Sequence, residues 1–233
     1  MKPDVNSPAY VLAFAAVASG LFTAAIMSLH AATQGVVERN EQAYEQRALL
    51  EVFGLTETAA AGREVRRGRE ITDPDSGTAF ELIEGYRVDE AGGRKELIGY
   101  AFPVWGVGFW AQIRGYLAVD SRLERIIGIV FVQHSETPGL GGRITERAWR
   151  AKFRGLLAGD PVEGGRHVYI GGDKPAGPSS PAFGRRVDAI TGATGTSAAV
   201  ERFLNERITQ FRRAAKAAGV GASPGQPQRS PSM

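Results

Sequence analysis

The sequence predicts an α+β protein: one N-terminal transmembrane helix, then a single mixed domain with mainly antiparallel strands. Three observations carry this expectation. No charged residue occurs between Val5 and Val37, with His30 counted as neutral. Between Phe80 and Gln133, short runs rich in β-branched and aromatic residues alternate with glycine or charged turns. From Ser197 to Ala215, apolar residues recur at helical spacing.

Taken in order, residues 1–8 form a short tail and residues 9–32 the membrane helix, whose apolar core Ala9 to Leu29 has about the twenty residues needed to cross the hydrocarbon layer. A cleaved signal peptide is the competing reading. The apolar stretch is longer than the usual signal core, Asp4 dilutes the basic start, and no A-x-A cleavage site follows, so a retained anchor is the better reading. Lys2 on one side faces Arg39 and Arg47 on the other, so charge does not set the orientation.

Residues 33–218 form the domain with its connecting helix. Glu38 to Phe53 continues at helical spacing, with Tyr44, Ala48, Leu49 and Val52 on one side, and Gly54 supplies a stop. Residues 61–78 are charged and turn-rich and read as a solvated connector. Strands are expected at Phe80–Tyr86, Leu97–Val104, Ile113–Val119, Leu123–Gln133 and His167–Ile170, with a helix over Glu146–Leu157 and a Gly/Pro/Ser loop over Gly171–Phe183. Val200, Phe203, Leu204, Ile208 and Phe211 make the buried stripe of the last helix. Residues 219–233 form a Pro/Ser/Gly-rich tail expected to be disordered.

Composition narrows the chemistry. The 233 residues contain no cysteine, which removes disulfides, thiolate zinc sites, iron–sulfur clusters and thioether-linked haem. Three histidines, His30, His134 and His167, lie far apart in sequence. Any redox chemistry must therefore rest on an organic cofactor. Net charge is +3, and the aromatics are not interleaved with basic runs, which argues against nucleic acid.

Two segments carry candidate chemistry. Thr191-Gly-Ala-Thr-Gly-Thr-Ser197 packs four hydroxyls and two glycines into seven residues at a helix start. Free N–H groups and the helix dipole there favour an anion. Ordinary N-capping by Thr196 or Ser197 is the alternative, although capping needs only one hydroxyl. The second segment, Gln133-His-Ser-Glu-Thr-Pro-Gly-Leu-Gly-Gly142, follows the most apolar strand. It is placed either for ligand contacts or for a tight turn at Pro138 and Gly139.

Asp188-Ala-Ile-Thr-Gly-Ala-Thr194 resembles the flavinylation motif D-x-x-[ST]-G-A-T of FMN-binding domains, and His134-Ser-Glu-Thr-Pro-Gly-Leu-Gly141 resembles their second hallmark, H-x-E-T-P-G-L-G. The chain is similar to the family of C subunits of sodium-translocating NADH:quinone oxidoreductases and to the related G subunits of Rnf complexes. The resemblance implies FMN joined through its phosphate to the hydroxyl of Thr194 by a separate flavin transferase. It implies that Asp188, Thr191, Gly192 and Ala193 present the acceptor, that Thr196 and main-chain N–H groups hold the phosphate, and that His134, Glu136, Thr137, Pro138, Gly139, Leu140 and Gly141 line the flavin side.

Gly106-Val-Gly-Phe-Trp110-Ala-Gln-Ile-Arg-Gly115 resembles the G-x-G-L-W-x-x-M-x-G stretch of the quinone-reductase subunit, with Phe109 and Ile113 in place of leucine and methionine. Trp105 and Trp110 are candidates to shield the flavin ring, or else strand aromatics. The resemblance further implies an electron-transfer subunit in the inner (cytoplasmic) membrane, its domain on the extracytoplasmic side and its partners the other membrane subunits. A ferredoxin-linked Rnf-type role and a non-redox anchored scaffold are the alternatives. Hydrolase chemistry from His134 and Glu136 lacks an orienting group and a nucleophile elbow.

Overall fold

Near-continuous apolar runs in Ile113–Val119 and Ile126–Val132 give strands whose two faces both enter a core, and this decides the architecture. The structure, a computed structural model, describes residues 7–55, 63–88, 95–161, 165–173 and 177–221. The chain divides into two compact units, residues 1–45 and 46–233. One helix, α1 (Pro8–Val52), supplies all the described residues of the first unit save Ser7. It is long and apolar enough to cross a membrane, and Leu12, Phe14, Leu21, Phe22, Ile26 and Leu29 are all exposed on it.

In the second unit, β1 (Arg63–Thr72), β2 (Ala79–Val88), β3 (Lys95–Val107), β4 (Gln112–Asp120) and β5 (Ile126–Gln133) form an antiparallel sheet in sequence order. A short α2 (Arg147–Arg150) follows, then β6 (Tyr169–Ile170), which pairs in parallel with β7 (Arg186–Val187), and finally α3 (Thr194–Ala217). The five residues of the expected α3 stripe, Val200, Phe203, Leu204, Ile208 and Phe211, are all buried against one face of the sheet. There the Phe211 ring stacks on Phe102 with centroids 3.7 Å apart, and Phe80 meets both edge-on. On the opposite face the last residues of α1 and its stop, Ala48, Leu49, Val52, Phe53 and Leu55, pack on Ile83, Ala101, Tyr116, Ala118 and Val130. Alternate residues of β4 and β5 therefore enter two different cores.

Several expectations need correction. The charged stretch 61–78 is not a connector. Where described, it holds the edge strand β1, whose apolar alternation is replaced by cross-strand ion pairs from Arg66 to Glu84 and from Arg67 to Glu81. Charged edges of this kind resist pairing with other chains. Tyr44 is 52% exposed, and the covered side of α1 begins one turn later at Ala48. The helix expected over 146–157 shrinks to α2 and a 3₁₀ turn at Ala151–Phe153. Gly155 then turns at φ +81°, and main-chain bonds draw Gly155 and Leu156 to Ile126, and Leu157 to Gly184.

Strand β7 was not anticipated, and α3 begins at Thr194 rather than at Ser197. Residues 219–221 form a turn in which Val220 packs on the core and its N–H donates to the Ala215 carbonyl at 2.8 Å. The rest of the expected tail, like residues 1–6, lies outside the described residues.

Candidate functional site

The site grows from the start of α3. Ala193 precedes the helix with φ −131°, no side chain caps it, and no acidic residue stands in its first turn. Its first N–H groups are thus left for an external acceptor. The two candidate caps are used elsewhere. The Ser197 hydroxyl accepts from the Ile190 N–H at 3.1 Å, and the Thr196 hydroxyl donates to Glu136 Oε2 at 2.6 Å. Both side chains are buried, whereas Thr194 is exposed.

Gly192 turns the chain into the helix at φ +79°, a conformation that excludes most side chains. A β-carbon there would also meet Leu140 at 3.1 Å. On the other side of Thr194, Phe109 lies so close to Gly195 that a β-carbon would stand 2.6 Å from the ring. Leu140, Phe109 and Trp110 are 45%, 61% and 67% exposed. The last two meet in a T-shaped pair with centroids 5.1 Å apart. The Thr194 hydroxyl therefore sits between neighbours in contact with exposed apolar side chains.

A cavity of about 530 Å³ opens on the polar side of Thr194, lined by Arg166, Ser197, Glu201, Arg202 and Asn205 among others. Glu201 and Asn205 hold β6 to the helix: Glu201 accepts from the Ile170 N–H at 2.7 Å, and Asn205 bonds both main-chain groups of Val168. Arg166 pairs with Glu201, and Arg202 donates to the Val107 carbonyl.

The structure brings the two sequence motifs together. Glu136 is buried and accepts from the main-chain N–H groups of Phe109 (2.8 Å) and Trp110 (3.2 Å) as well as from Thr196. The Thr137 hydroxyl accepts from Trp110 Nε1 at 3.2 Å. His134 Nδ1 accepts from the Glu136 N–H at 3.2 Å. Pro138 and Gly139 make the exposed turn, with Gly139 at φ +75°, and Gly141 is buried against Glu136 and Thr196.

The Asp188 side chain turns away to Arg186 and Lys152, which hold its carboxyl below the usual carboxylate range. Its carbonyl is pinned by Trp149 Nε1 at 2.9 Å. Thr191 faces a small separate cleft with Arg143, Glu146 and Lys152. Trp105 is not at the site: it packs on Phe80 with the Arg207 guanidinium 4.3 Å above its ring. Phe109 and the Arg166–Arg202 lining were missed in the sequence. Phe109 could have been found as an aromatic beside Trp110 in a glycine-flanked turn, whereas the arginines carry no local signal.

Residues 108–209 match the family described as FMN-binding domain, a span that contains both motifs and the turn bearing Phe109 and Trp110. That span, under half of the chain, is similar to domains of the FMN-binding class. The chain is also similar to the C subunits of Na⁺-translocating NADH-quinone reductases. It is 28% identical to that subunit of Pseudomonas aeruginosa, over 69% of this chain and 76% of the relative. It is 37% identical to that of Chlamydia muridarum, over 47% of this chain and 38% of the relative. Against the Yersinia pestis subunit the identity is 32%, over 53% and 44%. The chain thus spans less than half the length of the last two relatives. The crystal structure of Shewanella oneidensis NqrC shares the fold, with a TM-score of 0.57 and 20% identity over 78% of this chain and 99% of that one.

The residues fit such a group. An exposed hydroxyl at an uncapped helix start suits a phosphate, and the exposed Phe109, Trp110 and Leu140 suit a planar ring.

Proposed function

We propose that the protein is a membrane-anchored flavoprotein subunit that carries FMN as a phosphoester on Thr194 and serves electron transfer within a cation-translocating NADH:quinone oxidoreductase. The observation that carries this reading is the placement of Thr194. It is the exposed hydroxyl of the matched motif, at an uncapped helix start, with its neighbours against apolar side chains. The names of the relatives support the quinone-reductase role over the ferredoxin-linked one.

When bound, the flavin supplies the electron-carrying ring; the chain supplies its position and surroundings. Main-chain N–H groups at the start of α3 hold the phosphate, and Phe109, Trp110 and Leu140 limit the access of water to the ring. Thr196 does not serve the phosphate as a donor, because its proton is committed to Glu136. No base stands on the Thr194 hydroxyl among the described contacts, in keeping with modification by a separate flavin transferase. The apolar part of α1 serves as the anchor, the domain lies outside the cytoplasm, and other membrane subunits complete the complex.

The test is expression of the full chain in membranes together with a flavin transferase, followed by denaturation and removal of small molecules. Yellow colour that stays with the denatured chain supports the reading. A colourless chain with flavin in the filtrate contradicts covalent attachment.

A further inference from the structure

Glu136 was expected to touch the flavin, yet both of its oxygens are committed inside the protein. Oε1 receives the main-chain N–H groups of Phe109 and Trp110, in the turn between β3 and β4, and Oε2 receives the Thr196 hydroxyl in the first turn of α3. One carboxylate thus joins segments 26 and 60 residues away in sequence. It is only 4% exposed.

The space around it is built for this. A β-carbon on Gly108 would stand 2.5 Å from Oε1, and one on Gly141 would stand 2.7 Å from Oε2. Larger residues at either position would push the carboxylate off its partners. Ionised acceptors make the stronger hydrogen bonds, so the exposed aromatic turn is held at a fixed place relative to the helix start. Without the clamp, Phe109 and Trp110 would ride on a hairpin tip closed, among the described residues, by the bond from the Gly108 N–H to the Ala111 carbonyl.

We propose that Glu136 is a positioning residue: it locks the Phe109–Trp110 turn to the first turn of α3 and thereby fixes the apolar wall against which a group on Thr194 rests. The lock is a property of the chain itself. Its consequence for the flavin rests on the function proposed above, and the two are tested by separate readouts.

The first readout is amide hydrogen exchange of the full-length, unmodified protein in the peptide spanning residues 108–112. In Glu136→Ala, exchange there is expected to rise about tenfold or more, the factor for one lost charge-assisted hydrogen bond. Glu136→Gln keeps an acceptor for the turn and can pair with Thr196 in the reverse sense, so it should restore protection. Thr196→Val, which removes only the helix-side arm, should fall between the two. The second readout is visible circular dichroism of the flavin-bearing protein, which a loss of stability alone does not move. It is expected to weaken in the alanine variant and to return in the glutamine variant.

Unchanged exchange in Glu136→Ala, or a glutamine variant no better than alanine, overturns the lock. Altered exchange with unchanged dichroism overturns its effect on the flavin. A wild-type chain without flavin sinks the proposed function while the exchange result stands.

Discussion

The hydroxyl of Thr196 donates to the carboxylate of Glu136 at 2.6 Å, although sixty residues separate them. The two motifs therefore meet through a direct side-chain hydrogen bond. The hydroxyls of the Thr191–Ser197 segment then divide by role. Thr196→Ala should leave the FMN mass adduct in place, since it removes no acceptor. It should cost about 1–3 kcal/mol by depriving a buried carboxylate of a partner. Loss of the adduct in this variant, checked by mass spectrometry beside a melting curve, would contradict the assignment.

Trp110 tests the ring side of the site. Exposed and in an edge contact with Phe109, it should quench flavin emission by direct contact. Trp110→Ala is expected to raise flavin fluorescence with an unchanged adduct mass. Equal emission from both proteins would remove Trp110 from the ring's surroundings.

Acid stability should fall in two stages. Burial holds His167 neutral, with its pKa lowered to about 4. Below about pH 6.5 the unfolded chain takes up a proton that the folded one refuses, so stability declines from there towards pH 4. Asp73 is fully buried, and bonds from Arg213 at 2.9 and 2.7 Å lower its pKa to about 2. Its contribution is complete above about pH 4 and is lost as pH falls through 2. Denaturant midpoints against pH should show both windows, with the upper one removed in His167→Gln. A flat profile between pH 6.5 and 4 would contradict the buried neutral imidazole.

The Asp73–Arg213 pair also ties the β1–β2 turn to α3 across 140 residues. Asp73→Ala should cost on the order of 2 kcal/mol, a fall in melting temperature of about 4–8 °C for a domain of this size. A shift under one degree would show that the pair is idle.

Much of this architecture was legible because it rests on apolar periodicity. Strands β2 to β5 and the stripe Val200–Phe211 bury side chains at period 2 and at helical spacing, and both are visible in sequence. Strand β1 was hidden because its cross-strand partners are charges: Arg66 and Arg67 pair with Glu84 and Glu81 instead of filling a core. Strand β7 is two residues long, and its bonds depend on a distant β6. At the site, the motifs located two segments that the fold brings together. Residue types alone did not show that Glu136 accepts from Phe109, Trp110 and Thr196. That arrangement depends on contacts set by the fold, as does the removal of Trp105 to the Phe80–Arg207 stack.

The most direct measurement is the intact mass of the chain from membranes of cells that contain the flavin transferase, with fragment ions placing any adduct. An FMN-sized increment on the peptide holding Thr194, absent from Thr194→Val and present in Thr191→Val, is the expected result. An unmodified Thr194 in that material, or an increment that survives Thr194→Val, would contradict the account.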